Sequence, residues 1–210
     1  YMSDMNSRAA DGYSVELTSS TLVKNYQVKF RREAENLAKL SHPNIVKVLE
    51  VFDENNTTYY VMEYIDGQNV DEHIKKNGKL TEQEALRITK ATCSALSYMH
   101  GRKMLHLDLK PKNIMLNSEG QVFLIDFGLA KQYTEDGEPE SSTSLGLGTP
   151  GYAPIEQAHY KQDGTFPVTL DIYALGASLY KMLTGKTPPD SSYVLNEGLS
   201  ISGLKNAGVS

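Results

Sequence analysis

Residues 104–128 read Met-Leu-His-Leu-Asp-Leu-Lys-Pro-Lys-Asn-Ile-Met-Leu-Asn-Ser-Glu-Gly-Gln-Val-Phe-Leu-Ile-Asp-Phe-Gly. Two short apolar runs, Ile114 to Leu116 and Val122 to Ile125, flank the turn-forming residues Asn117-Ser118-Glu119-Gly120. That pattern predicts a β-hairpin. His106, Asp108, Lys110 and Asn113 lie on its approach side and Asp126 on its exit side. A hairpin folds the chain back, so both ends reach one place. Asp108 and Lys110 are two residues apart and point the same way in an extended segment. The result is two carboxylates, an ammonium and an amide held together.

Phosphoryl transfer needs this set. A carboxylate beside the attacking hydroxyl orients it and accepts its proton. A second carboxylate and an amide oxygen are hard ligands suited to Mg²⁺. An ammonium neutralises charge on the transferred group. The plainer reading is a polar hairpin with a solvated rim. His106-Leu107-Asp108-Leu109-Lys110-Pro111-Lys112-Asn113, followed by Asp126-Phe127-Gly128, resembles the catalytic loop and metal loop of the protein kinases. Two motifs in order, with the expected hairpin between them, favour that resemblance over the plainer reading.

Composition is compatible with it. A 210-residue chain with 40% hydrophobic residues can build a core, and a net charge of −5 gives no sign of nucleic-acid binding. The single Cys93 excludes an intrachain disulfide, fits a reducing cytoplasmic location, and falls in a helical pattern that predicts packing. No secretory signal is read at the start and no run of 18 apolar residues occurs, so no membrane segment is expected. The oligomeric state is left open.

Upstream of the hairpin, Leu22 to Leu40 reads as a helix with Phe30, Glu33, Ala34, Leu37 and Leu40 on one stripe. It stops before Ser41-His42-Pro43, because the residue preceding proline avoids helical geometry. Glu33 is unusual on an apolar face: it is either solvated at the edge or paired with a cation. Ile45 to Phe52 and Thr57 to Tyr64 read as strands joined by Asp53-Glu54-Asn55-Asn56, and Asp66-Gly67 breaks the second. Val70 to Lys76 reads as a short helix ended by Asn77-Gly78. Thr81-Glu82-Gln83-Glu84 is a capping box opening a longer helix. Leu86, Ala91, Ala95, Leu96 and Met99 are its expected buried side. It ends near His100, read only as a helix-end residue.

Downstream, Ala130 to Leu145 is rich in Ser, Thr, Glu and Gly without periodicity, and predicts a flexible loop. Tyr133, Thr134, Ser141, Ser142, Thr143 and Ser144 are its candidate phosphate acceptors. Gly146-Leu147-Gly148-Thr149-Pro150-Gly151 spells G-x-G-x-x-G but is rejected as a nucleotide fingerprint: no strand precedes it, no helix opens from it, and Pro150 lacks an amide donor. Asp171 opens an apolar helix, Ile172 to Leu183, ended by Thr184-Gly185, and reads as its N-cap.

The resemblance assigns further roles, running from about residue 22 to 189. It implies an α+β, two-lobed protein kinase-like fold, with an incomplete N-lobe over 1–62 and a mainly helical, incomplete C-lobe over 63–210. ATP and Mg²⁺ are the implied cofactors and a protein with a Ser/Thr acceptor the implied partner. Asp108 matches the base that orients the acceptor hydroxyl, Lys110 the phosphate-facing lysine, and Asn113 and Asp126 the metal ligands. Thr149 would bridge Asp108 and Lys110, a Ser/Thr-kinase feature. Glu33 matches the glutamate that pairs with the ATP-binding lysine. Met62 matches the gatekeeper, and the backbone of Glu63 and Ile65 would bond adenine. His106 would stack with Phe127 and Leu37, beside Gly128 of the metal loop. Asp171 matches the aspartate that holds the catalytic-loop backbone, compatibly with its N-cap reading.

Departures from the pattern carry expectations too. The family's Ala-Pro-Glu motif reads Ala153-Pro154-Ile155-Glu156 here, with Ile155 where proline is usual, and no arginine lies beyond Arg102 to partner Glu156. No glycine-rich loop is read, and the first lysine is Lys24, already at the helix. The chain is therefore read as the middle of a bacterial-type Ser/Thr kinase domain, weakly active or inactive by itself. Leu107 stands where many kinases carry the arginine that reads an activation-loop phosphate, so control through that switch is not expected. A pseudokinase or ATP-binding scaffold is the alternative. A scaffold has no need of Asp108, Lys110, Asn113 and Asp126 together. Gly148-Thr149-Pro150-Gly151-Tyr152 resembles the family's substrate-facing segment, which, with Ala-Pro-Ile-Glu, serves a peptide substrate and argues against a small-molecule phosphotransferase.

Overall fold

The computed structural model describes residues 6–8, 15–17, 28, 30–32, 34–127, 130–133, 148–159, 167–199 and 204–205. Glu33, Gly128, Thr134 and 141–144 lie outside them. The chain divides into a smaller unit, residues 1–41 and 47–64, and a larger one, residues 42–46 and 65–210.

In the smaller unit β1 (Asn6–Arg8) pairs antiparallel with β2 (Val15–Leu17). Helix α1 has described residues 28, 30–32 and 34–38 and buries Ala34, Leu37 and Leu40. β3 (Val48–Glu54) and β4 (Thr57–Met62) form a hairpin. β3 runs two residues further into the connection than the sequence predicts, and β4 starts at Thr57 as expected. Only Asn55 and Asn56 turn, both left-handed at φ 51° and 57°. That is the conformation a two-residue hairpin of right-handed twist requires, and asparagine tolerates it. Phe52 and Tyr59 face each other across the strands and stack at 5.3 Å.

The larger unit is built on two helices. α2 (Val70–Asn77) starts at a capping box of Asn69 and Glu72. α3 (Glu82–His100) starts at the capping box of Thr81 and Glu84. The buried stripe of α3 is Ala85, Ile88, Thr92, Ala95, Leu96 and Met99. Leu86, expected inside, is half exposed at 52%, and Cys93 is exposed rather than packed. The stripe falls at 3.6-residue spacing one position before Leu86, so a leucine gave way to the phase of the helix. Opposite packs α5 (Thr169–Thr184), burying Leu170, Ala174, Leu175, Ala177, Met182 and Leu183. Each large aliphatic side chain buried there contributes about 1.5–3 kcal/mol.

Strand β5 (Gly67–Asn69) pairs with β7 (Ile114–Asn117), which pairs with β8 (Val122–Leu124). β7 and β8 are the predicted hairpin, closed over Asn117–Gln121. Gly67 is required by close approach: a Cβ there would stand 1.9 Å from the Leu116 carbonyl oxygen. Residues 42–46 dock on this sheet, with Leu124 donating to the Asn44 carbonyl and Val46 donating to that of Leu124. His42 meets Ser94 at 3.1 Å. β6 (Met104–Leu105) pairs with β9 (Lys131–Gln132). The segment from Ala130 therefore begins as a packed strand, not as loop, and Tyr133 is 2% exposed. Two helices had no sequence prediction: α4 (Ile155–His159) and α6 (Ser191–Glu197).

One buried ion cluster ties α2 to α5. Asp71 is buried and receives Lys181 of α5 and Lys75 at 2.8 Å. Burial alone would raise the Asp71 carboxyl, but hydrogen bonds from Lys181 and Lys75 outweigh it and hold the group below the usual carboxylate range. Lys181→Met should therefore lose about 1–3 kcal/mol at neutral pH, because one buried partner of the carboxylate is gone. A depressed carboxyl contributes above its unfolded pKa of about 4 and loses that contribution as pH falls through the lower folded value. Urea unfolding should show the gap between parent and Lys181→Met closing below about pH 4. A gap constant with pH would contradict this account.

Candidate active site

The loop between β6 and β7 is held from below before it presents any chemistry. Asp171 sits at the third residue of α5, fully buried, and accepts from the His106 and Leu107 backbone amides at 2.9 Å each. His100 Nε2 lies 2.8 Å from the same carboxylate. Asp171 is not the N-cap. That position is Val168, whose side chain has no acceptor, because the helix begins at Thr169, two residues before Asp171. His100 is likewise more than a helix end: it links the terminus of α3 to α5.

His106 is buried, with its ring 5.4 Å from that of Phe127, itself 4% exposed. Burial pushes the imidazole below its ordinary pKa, although Asp171 and Asp108 pull the other way. The neutral ring accepts from the Asp108 amide at Nδ1 (3.3 Å), which leaves the proton on Nε2, facing the Ile125 carbonyl at 3.4 Å. Leu37 is buried in the smaller unit. Met62 and Glu63 are exposed there, with the Glu63 amide donating to the Lys47 carbonyl at 2.9 Å. Ile65 is half-buried in the larger unit.

Above this base, three side chains close a triangle. Lys110 Nζ donates to Asp108 Oδ2 at 2.6 Å and to Thr149 Oγ1 at 2.8 Å. Thr149 Oγ1 donates to Asp108 Oδ1 at 2.6 Å. The Asp108 and Lys110 side chains are 15% and 18% exposed, shielded yet open on one side. Charge-assisted contacts of this length are among the stronger polar interactions.

Asn113 ends a 3₁₀ turn that begins at Pro111. Its side-chain nitrogen donates to the Asp108 carbonyl at 2.9 Å, turning its amide oxygen the other way. The Ile125 amide donates to the Asn113 carbonyl at 2.9 Å, so the backbone one residue before Asp126 is tied to Asn113. Asp126 is exposed and left-handed at φ 58°. An amide oxygen and a carboxylate are hard oxygen donors of the kind that suits Mg²⁺, which binds through one or two protein ligands and takes the rest from phosphate and water.

Glu156, in the first turn of α4, is exposed. Its neighbour Gln157 was not singled out in the sequence. It is 2% exposed, and its side-chain nitrogen donates to the Leu107 carbonyl at 2.8 Å. A lone glutamine in a five-residue helix offers no periodic signal that would have marked it.

The family model of the protein kinase domain matches residues 15–200. Serine/threonine-protein kinase PrkC of Bacillus subtilis is 36% identical over 171 residues, covering 81% of this chain and 26% of that protein. Serine/threonine-protein kinase PknB of Mycobacterium tuberculosis is 34% identical over 168 residues, covering 78% of this chain and 26% of that protein. The chain thus spans about a quarter of the length of these curated relatives. No helix among the described residues is long and apolar enough to cross a membrane. With a family match over most of its length, and a site assembled from residues that match the family's motifs, this chain belongs to the protein kinase domain family.

Proposed function

We propose that this chain carries the catalytic core of a Ser/Thr protein kinase, which moves the γ-phosphoryl group of ATP to a Ser or Thr hydroxyl of a protein. The observation that carries the reading is the Asp108–Thr149–Lys110 triangle. Asp108 orients the acceptor hydroxyl and takes its proton as the new O–P bond forms. Lys110 stands beside it to offset charge on the moving group. Asn113 and Asp126 hold Mg²⁺ through oxygen. Bound Mg²⁺·ATP supplies the electrophilic phosphorus and the ADP leaving group. Thr149 ties the base and the lysine to the substrate-facing segment, which favours a protein acceptor over a small molecule. A scaffold that only bound nucleotide would need neither the base nor this tie.

In the complete protein, Asp126→Asn removes a charged metal ligand with little change in volume. Turnover at saturating Mg²⁺ should fall by on the order of a hundredfold or more. Phosphate transfer to a generic protein acceptor measures it, and near-parental turnover would sink the assignment.

A further inference from the structure

Leu107 is a left-handed residue at φ 65°, a conformation that a leucine adopts only when its surroundings impose it. Its side chain is buried with Leu105, Tyr133 and Leu170. Its amide donates to Asp171 and its carbonyl accepts from Gln157. Both polar ends of this one residue are thus gripped by buried side chains, from two different elements. Asp108 follows it directly.

Gln157 also meets the segment that carries Thr149. Gly148 is left-handed at φ 69°, and a Cβ there would stand 2.8 Å from Gln157 Nε2 and 2.6 Å from Ala153 Cβ. No side chain fits between that backbone and the glutamine. The amide of Gln157 therefore lies between the residue before the base and the residue before the threonine that bonds the base.

We propose that Gln157 is a positioning residue for phosphate transfer: it locks the Leu107 carbonyl, and with it Asp108, to the segment bearing Thr149. Leu107 has no charge with which to bind a phosphate, and a neutral amide does the joining. Docking of residues 148–157 then sets the aim of the base without a phosphate at this position. The inference rests on the proposed kinase reading.

The test uses the complete protein with ATP and a generic protein acceptor. Gln157→Leu keeps the volume and removes the donor. Its kcat should fall about 10–100-fold while KM for ATP stays within about threefold, because aim is lost and nucleotide binding is not. Gln157→Glu supplies a donor only while protonated, and burial keeps a carboxyl protonated to higher pH than water does. Its rate relative to parent should therefore fall as pH rises from about 6 to 9, while that of Gln157→Leu stays flat. His106, Asp108, Lys110 and Asp171 are the charged and titratable groups around this loop, and Gln157→Leu, followed over the same pH range, is the control for them.

A Gln157→Leu kcat within about threefold of parent, or a pH-independent ratio for Gln157→Glu, overturns the inference. If Gln157→Leu loses its circular dichroism signal, the Gln157→Glu ratio alone decides. The kinase reading is judged separately, on parent against Asp126→Asn. A parent that transfers phosphate beside an unaffected Gln157→Leu overturns only the role of Gln157. A parent that transfers none overturns both.

Discussion

Asp108→Asn should lower phosphate transfer by about 10²–10⁴-fold, the range that positioned proton acceptors contribute. Asparagine keeps the shape of the triangle. Its amide oxygen still accepts from Lys110, and its amide nitrogen meets Thr149 Oγ1, which can turn and accept. What it cannot do is take the proton of the acceptor hydroxyl. The lower bound of the expected loss, a hundredfold, corresponds to about 2.7 kcal/mol of transition-state stabilisation. Stability should change little, because the site is partly open and each hydrogen bond keeps a partner. Single-turnover transfer to protein acceptor, read beside a urea melt, separates the two effects. A rate within a few-fold of parent would show that Asp108 neither orients nor deprotonates the hydroxyl.

Asp171→Ala should act through the fold. The carboxylate is fully buried and takes two backbone amides and His100. Alanine leaves both amides without acceptors in a dry environment. Breaking such a buried polar network costs about 3–5 kcal/mol. Against a total stability of roughly 5–15 kcal/mol, that is a large share. Asp171→Asn should cost less but not nothing: one oxygen remains, while the amide nitrogen points a donor at a donor. Urea midpoints should therefore rank parent above Asp171→Asn above Asp171→Ala. The loop backbone at 106 and 107 loses its anchor in both variants, so activity should fall in the same order. An unchanged midpoint for Asp171→Ala would mean that the contacts to His106 and Leu107 carry no net stability.

Local structure was legible in the residues themselves. The hairpin over 114–124 is announced by two apolar runs around a turn, and its register follows from alternation. The start of α3 is announced by Thr81 and Glu84, and the end of α2 by Asn77-Gly78. Each of these signals acts within a few residues, through a cap, a turn or a period. The triangle of Asp108, Lys110 and Thr149 was legible in a different way: spacing aligns the first two, and the third came only through family resemblance.

What lay beyond reach depends on partners far along the chain. Whether Leu86 or Ala85 faces inward is decided by which side of α3 meets α5. Tyr133 looked like a loop acceptor because its sequence neighbours are polar, but β9 pairs with β6 and carries it into the core. His100 and Gln157 looked idle because their partners, Asp171 and Leu107, are 71 and 50 residues away. Asp171 fitted an N-cap by local rules, but the helix starts two residues earlier, and the 106–107 backbone is the partner its carboxylate finds. A hydrogen bond is short-ranged, so sequence reveals it when the chain is still close to itself. When the partners meet only after folding, the tertiary structure decides which buried polar group is satisfied by which.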